Sequence, residues 1–241
     1  MRLPPGWDLP VGIATRLGEN VGRQRAIIEE EHLLLVLHKV PEPGSSVREG
    51  VYFWRLPTGE WRASTGVVGL TALRGHVESY AKEVARYEAL YQNASNAAEY
   101  FAVLEGIAPL HRASSNLYAT LQKARDTLPL VHELISFSDE ASDVERTAEL
   151  LQIDAKYALD FHIARQNEEQ ARLAHEAAKS GNRLNIIAAI FLPFTAITSL
   201  FGMNLPSGLE SESASTSPFW IVLICATFFS LMLGLILGRK S

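Results

Sequence analysis

Between Leu184 and Gly238 the chain carries no lysine or arginine, and its only acids there are Glu210 and Glu212. Upstream of Arg183 charges are spread throughout. Whole-chain averages hide this division, since 241 residues with 47% apolar content and a formal charge of −5 describe an ordinary soluble protein equally well. Within the charge-poor quarter two stretches, Leu184 to about Phe201 and Phe219 to about Leu237, approach the roughly 20 apolar residues that a spanning helix needs. Asn182 and Asn185 can sit at the interface where the first begins. A soluble domain of this size could not cover two such segments, so they are expected to lie in lipid.

Flanking cations orient them. Lys179 and Arg183 precede the first span, Arg239 and Lys240 follow the second, and the connection from Leu205 to Pro218 has none. The positive-inside rule then predicts a multi-pass protein of the inner membrane with both termini cytoplasmic and a short loop outside. That loop holds Glu210 and Glu212, whose carboxylates would concentrate cations at an outer mouth if they are more than solvated surface. Met1-Arg2-Leu3-Pro4-Pro5 leads into polar, Gly- and Pro-containing sequence, not an apolar core, so no signal peptide is expected. Cys225, the single cysteine, falls inside the second span and excludes a disulfide framework or a cysteine-based metal site. The seven histidines show no H-E-x-x-H spacing.

The expected division is a cytoplasmic α/β domain over 1–139, a stalk helix over 140–183, spans over 184–204 and 219–238, a loop over 205–218 and a tail over 239–241. Met1 to about Arg25 reads as an irregular lead-in. Strands are predicted at His32–Leu37, Val51–Leu56 and, after the Pro57-Thr58-Gly59 turn, Glu60–Ser64, giving a small and mostly antiparallel sheet. From about Thr71 the period becomes helical, with Val77, Ala81, Val84, Glu88 and Tyr91 along one strip. A second helix is predicted after Pro109, with Leu110, Leu117 and Leu121 on its inner side. Pro129 and Ser136 to Asp139 are expected to break the pattern. No phosphate-cradling loop and no nucleophile with a neighbouring base is visible, so an enzyme has no residues to stand on.

No proline or glycine interrupts the sequence from Glu140 to Ser180. A helix from Glu140 to Phe201 would be roughly 90 Å long, far more than one compact domain needs. At a seven-residue period one face carries Leu150, Ile153, Tyr157, Asp160, Ala164, Asn167, Ala171, Ala174, Ala178 and Gly181, and continues through Asn185, Ala188, Leu192, Thr195 and Ser199. It begins large and apolar and becomes small and mildly polar. Two arrangements suit it: the lining of a wet axial space made by several copies, or a face packed on the chain's own helices.

Two helices have no interior, so a conducting assembly would need several copies. Ring symmetry would turn one Asn204 per chain into a ring of amides at the mouth. Magnesium dehydrates reluctantly, and neutral carbonyl oxygens suit recognition of its bound waters. Gly202 would let the backbone turn at the helix end, and Pro206 would stop the helix.

The run Leu184-Asn185-Ile186-Ile187-Ala188-Ala189-Ile190-Phe191-Leu192-Pro193-Phe194-Thr195, leading into Phe201-Gly202-Met203-Asn204, resembles the first transmembrane helix and GMN signature of the CorA family of magnesium transporters. The resemblance implies a funnel-shaped, predominantly α homopentamer whose partners are its own copies, the membrane and divalent cations, with no nucleic acid. It implies a selectivity filter of Gly202, Met203 and Asn204, and a pore lined by Asn185, Ala188, Leu192, Thr195 and Ser199. Thr195 stands where the family has a pore-facing threonine, and Leu192 where a hydrophobic constriction is expected. Magnesium would be the transported ion, with Co2+, Ni2+ or Zn2+ as other cargo, since a zinc-transporting branch shares the signature. In the family, Mg2+ held between subunits by carboxylates keeps the channel closed, for which Asp143, Asp154, Asp160, Glu168 and Glu169 are the candidates here. No other cofactor is implied. The chain departs from the family pattern in its short cytoplasmic part, in the displacement of the acid after GMN to Glu210, and in a basic tail of only Arg239-Lys240. A non-conducting membrane scaffold that binds a protein partner is the alternative role.

Overall fold

A computed structural model describes residues 4–18, 20–42, 48–66, 68–202 and 217–238. The chain divides into two compact units, Met1–Ala164 and Arg165–Ser241.

In the first unit four strands, β1 (Arg25–Glu29), β2 (His32–His38), β3 (Gly50–Arg55) and β4 (Trp61–Ala63), pair in sequence order as an antiparallel meander. The three expected strands are present and β1 is additional. Between its terminal histidines β2 is apolar because both its faces are covered. Leu33, Leu35 and Leu37 point into the main core, while Leu34 and Val36 join Ile27, Tyr52 and Trp54 on the opposite face. That second face is closed by the amino-terminal segment, where Trp7, Leu9 and Leu17 pack around Ile13 of a one-turn helix, α1 (Val11–Ala14). The lead-in is therefore a lid on the sheet, held by apolar side chains spaced too irregularly to show a period.

Glu29 pairs with His32, so Glu30 and Glu31 alone make the β1–β2 turn, at φ of 48° and 64°. Two-residue hairpins want both central residues at positive φ, a demand usually met by Asn-Gly. Glutamates accept it here at a steric cost, and the missing Asn-Gly pair is why the hairpin is silent in the sequence.

Three helices cover the main face. α2 (Gly69–Asn93) buries Leu73, Val77, Tyr80, Val84 and Tyr87. Its inner face is thus rotated from the expected one: Val77 and Val84 are inside, but Ala81 and Glu88 are exposed and two tyrosines take their place. Tyr80 donates its hydroxyl to the His38 carbonyl at 2.9 Å, which satisfies the buried phenol, and burial pushes its pKa up. Tyr87 lies where any side chain at position 106 would stand, its hydroxyl oxygen 2.2 Å and its ring 2.3 Å from an ideal Cβ there, so Gly106 sets the approach of α2 to the next helix.

α3 (Ala97–Thr127) begins twelve residues before the expected start and runs through Pro109. Its amino terminus is capped by Asn96, whose Oδ1 accepts from the Glu99 N–H at 3.0 Å, while the Glu99 carboxylate accepts from the Ser95 N–H at 2.7 Å. A proline in a helix interior costs about 3 kcal/mol. Ile107 and Leu110, both fully buried, return about 1.5 to 3 kcal/mol each. Burial wins, and the helix continues. Leu110, Leu117 and Leu121 face the core as expected.

α4 (His132–Gly202) starts just after the Pro129 break. Ser136 to Asp139 do not interrupt it, because Phe137 and Ser138 are buried in its second turn. Leu134, Phe137, Ala141, Val144, Ala148, Leu151 and Ala155 recur at alternating steps of three and four and close the main core.

The second unit holds the rest of α4 and α5 (Ser217–Gly238). α4 is long and apolar enough towards its carboxyl end to cross a membrane, by length and composition. The 22 residues of α5 coincide with the second expected span, and Leu223–Met232 is its described apolar stretch.

Replacing Glu30-Glu31 with Asn-Gly is expected to stabilise the first unit by about 1 kcal/mol, read as a rise of roughly 3 °C in the melting temperature of the full-length protein in detergent. An unchanged or lower value would contradict the strained turn. His76 gives a second expectation. It is buried between Phe53 and Tyr80 at ring distances of 5.6 and 5.5 Å, and burial lowers its pKa to about 4. The folded state keeps it neutral, so its stabilisation is complete above pH 6.5 and is lost as pH falls from there towards 4, amounting to about 3 kcal/mol at the acid end. His76→Phe should flatten the decline in melting temperature between pH 7 and 5; an undiminished slope would place the acid sensitivity elsewhere.

Candidate cation-conducting helix

Most of the expected site residues lie on α4. Asn185, Leu192, Thr195 and Ser199 are exposed and Ala188 is half-buried, all on one face by their spacing. The Thr195 hydroxyl donates to carbonyls of its own helix, Phe191 O at 2.5 Å and Leu192 O at 3.2 Å. This back-bonding satisfies the hydroxyl donor within the turn of the helix that precedes it. Two residues earlier Pro193 lies inside the helix and cannot donate to the Ala189 carbonyl. Gly202 is the last residue of α4, while Met203, Asn204, Glu210 and Glu212 lie outside the described residues.

In the first unit α4 has two apolar faces. One is the packed stripe ending at Leu151 and Ala155. The other carries Leu150, Ile153, Tyr157 and Phe161, on the opposite side at 100° per residue, and it is open: Tyr157 is 68% and Phe161 63% exposed. Of the two arrangements weighed for the long stripe, burial against the chain's own helices is not seen among the described residues at Leu150, Ile153, Tyr157 or Asp160, all of which are exposed.

The five candidate regulatory acids are not brought together. Asp143, Asp154, Asp160, Glu168 and Glu169 are all exposed and follow one helix over about 40 Å. Among the described residues no group of three or more His, Cys, Asp or Glu side chains could hold a metal ion. Cys225 is a free, exposed cysteine on α5.

Residues 91–239, from the last three residues of α2 through α3, α4 and α5, match the family described as CorA-like Mg2+ transporter protein. The chain belongs to this family. At the family level it is a Mg2+ transporter and therefore a membrane protein, and the match takes in both apolar segments. Among solved structures the chain is similar to the complete CorA magnesium transporter from Methanocaldococcus jannaschii, at 15% identity over 92% of this chain and 81% of that one, with a TM-score of 0.44. It is also similar to the full-length CmaX protein, at 17% identity over 91% of this chain and 79% of that one, with a TM-score of 0.44. No curated protein matches it.

Proposed function

We propose that the chain is the protomer of a CorA-type homopentamer that passes hydrated Mg2+ across the inner membrane, down its electrochemical gradient and without covalent chemistry. In this reading residues 1–183 and both termini are cytoplasmic, 184–204 and 219–238 span the bilayer, and 205–218 form the outer loop. The carrying observation is the second apolar face of α4. Leu150, Ile153, Tyr157 and Phe161 are open in the single chain, on the same long helix whose far end is apolar enough to span, within the matched family region. Large apolar side chains in a row favour burial against further copies of the chain.

Following the same face upward, side chains become small and mildly polar from Asp160 onward. An axial space between copies would then be closed by apolar contacts around Ile153 and Tyr157 at its flanks and wetted higher up. Within the membrane, Asn185, Ala188, Leu192, Thr195 and Ser199 would line the path, with Leu192 as the constriction. Asn204, with Gly202 and Met203, would form the outer ring of amide oxygens that reads the waters of the arriving ion, and Glu210 and Glu212 would raise the local cation concentration. Since no single chain gathers its acids, regulatory Mg2+ would be held by Asp143, Asp154, Asp160, Glu168 or Glu169 only in combination with a neighbouring copy. Co2+, Ni2+ and Zn2+ are the competing cargoes.

In proteoliposomes, Asn204→Ala should abolish Mg2+ influx while the oligomer keeps its mass; unchanged influx would refute the amide ring. If well-assembled wild type conducts no Mg2+, Co2+, Ni2+ or Zn2+, the protein is instead a non-conducting scaffold. On a Cys225→Ser background, Asp160→Cys and Asn167→Cys should react with a hydrophilic thiol reagent and Ile153→Cys should be protected in the assembled protein. Protection at all three positions would mean a dry seam rather than a wet axis.

A further inference from the structure

Two charged residues flank the open face of α4. Asp154 and Lys156 are both exposed, and neither forms an ion pair among the described residues. At 100° per residue they stand about 160° apart around the helix, with Ile153 and Tyr157 between them, and only about 3 Å apart along it. Residues two apart on a helix point away from each other, so the two charges do not meet within one chain.

The surroundings of Asp154 carry one sign. It stands beside the corner where α2 ends and α3 begins: after burial, its carboxylate is what raises the pKa of the Tyr91 hydroxyl. Tyr91 meets Tyr100 at 5.7 Å between ring centroids, and Tyr100 meets His162 of α4 at 5.1 Å. Between Tyr87 and Leu110 that corner has Glu88, Glu99 and Glu105 but no lysine or arginine. On its own helix the neighbours of Asp154 one turn away are Leu150, Leu151, Tyr157 and Ala158, none of them charged. A cation for Asp154 must come from outside this neighbourhood. Lys156 faces the other flank, with Asp160 one turn ahead in the less favourable Lys-before-acid order and unpaired with it in the structure.

Seven residues further on, the same two flanks are apolar. Phe161, 63% exposed, lies on the Asp154 side and backs onto His162 at 6.0 Å between ring centroids. Ile163, 42% exposed, lies on the Lys156 side. These two are again about 160° apart around the helix and about 3 Å apart along it. One flank therefore reads acid then aromatic, the other cation then aliphatic, at matching heights.

Rotation about an axis normal to the membrane keeps equal residue numbers at equal height and sets one flank of each copy against the opposite flank of the next. Opposite charges then face each other, and so do the apolar side chains. We propose that a second copy of the chain docks on this surface in parallel, Asp154 of one copy pairing with Lys156 of the next while Phe161 packs on Ile163. The contact rests on the ring reading of the assembly but not on conduction. It also withdraws Asp154 from the acids available to Mg2+, leaving Asp143, Asp160, Glu168 and Glu169.

Light scattering through a dilution series of the full-length protein in detergent, on a Cys225→Ser background, reads assembly without reference to transport. Asp154→Lys and Lys156→Asp should each raise the concentration needed for assembly roughly tenfold, because like charges then meet at every interface. The two reversals combined should recover most of the loss, and added salt should shrink both effects. A wild type that stays monomeric would overturn the ring and this contact together. An assembled wild type whose reversals dissociate it both singly and combined would overturn the contact alone. Should apolar contacts hold every reversal together, oxidation decides. Asp154→Cys combined with Lys156→Cys on one chain should give covalently linked copies, since the two thiols point apart within the helix, while either substitution alone should leave the copies unlinked. Absence of linkage in an assembled double variant would overturn the proposal.

Discussion

The packing of one side of α4 onto its own domain is the contact on which the rest depends. Leu134, Phe137, Ala141, Val144, Ala148, Leu151 and Ala155 alternate at three and four residues and complete the core formed by the sheet, α2 and α3. Because that stripe uses one side of the helix, the opposite side, with Leu150, Ile153, Tyr157 and Phe161, is left for something else. Fully burying such side chains is worth about 1.5 to 3 kcal/mol each.

Small residues on α4 matter for a related reason. Ala141, Ala148 and Ala155 are fully buried and let the long helix sit close to the domain, while Phe137 and Leu151 supply the bulk between them. His111 joins the two elements on the polar side, its Nδ1 at 2.7 Å from Gln152 Oε1 and its Nε2 at 3.7 Å from the Glu145 carboxylate. The same histidine lines a cleft between the sheet and α3. One wall of that cleft is thus fastened to α4, which is long and apolar enough towards its far end to cross a membrane by length and composition.

Much of the fold could be read in residues because the physics there is local. β2 and β3 are dense in apolar and aromatic side chains, the Pro57-Thr58-Gly59 turn separates β3 from β4, and Leu110, Leu117 and Leu121 keep a helical period. The misreadings have equally specific causes. The β1–β2 turn is built from two glutamates at positive φ, so it lacks the usual marker. Pro109 looks like a helix start but lies mid-helix, where the burial of Ile107 and Leu110 outweighs the lost hydrogen bond. A helical period through Val77 and Val84 admits Ala81 and Glu88 on one flank as readily as Tyr80 and Tyr87 on the other. Only the His38 carbonyl, which receives the Tyr80 hydroxyl, and Gly106, which clears space beside Tyr87, make the tyrosines core residues.

What the sequence determined by itself is what needs no partner from far along the chain. A charge-free stretch from Leu184 to Gly238 interrupted only by Glu210 and Glu212, an unbroken helical segment leading into it, and the Gly202-Met203-Asn204 sequence carry the resemblance to the CorA family in one dimension, and the family match over residues 91–239 agrees with that resemblance. Tertiary structure alone decided which side of α4 is inside, that the amino-terminal segment lids the sheet, and that Tyr100 meets His162. Those two rings are separated by 62 positions, counted from their numbers in the chain, and no period links them. Hydrophobic periodicity predicts which residues share a face of one element; contact between side chains of separate elements depends on how those elements pack, and that is fixed only when the core closes.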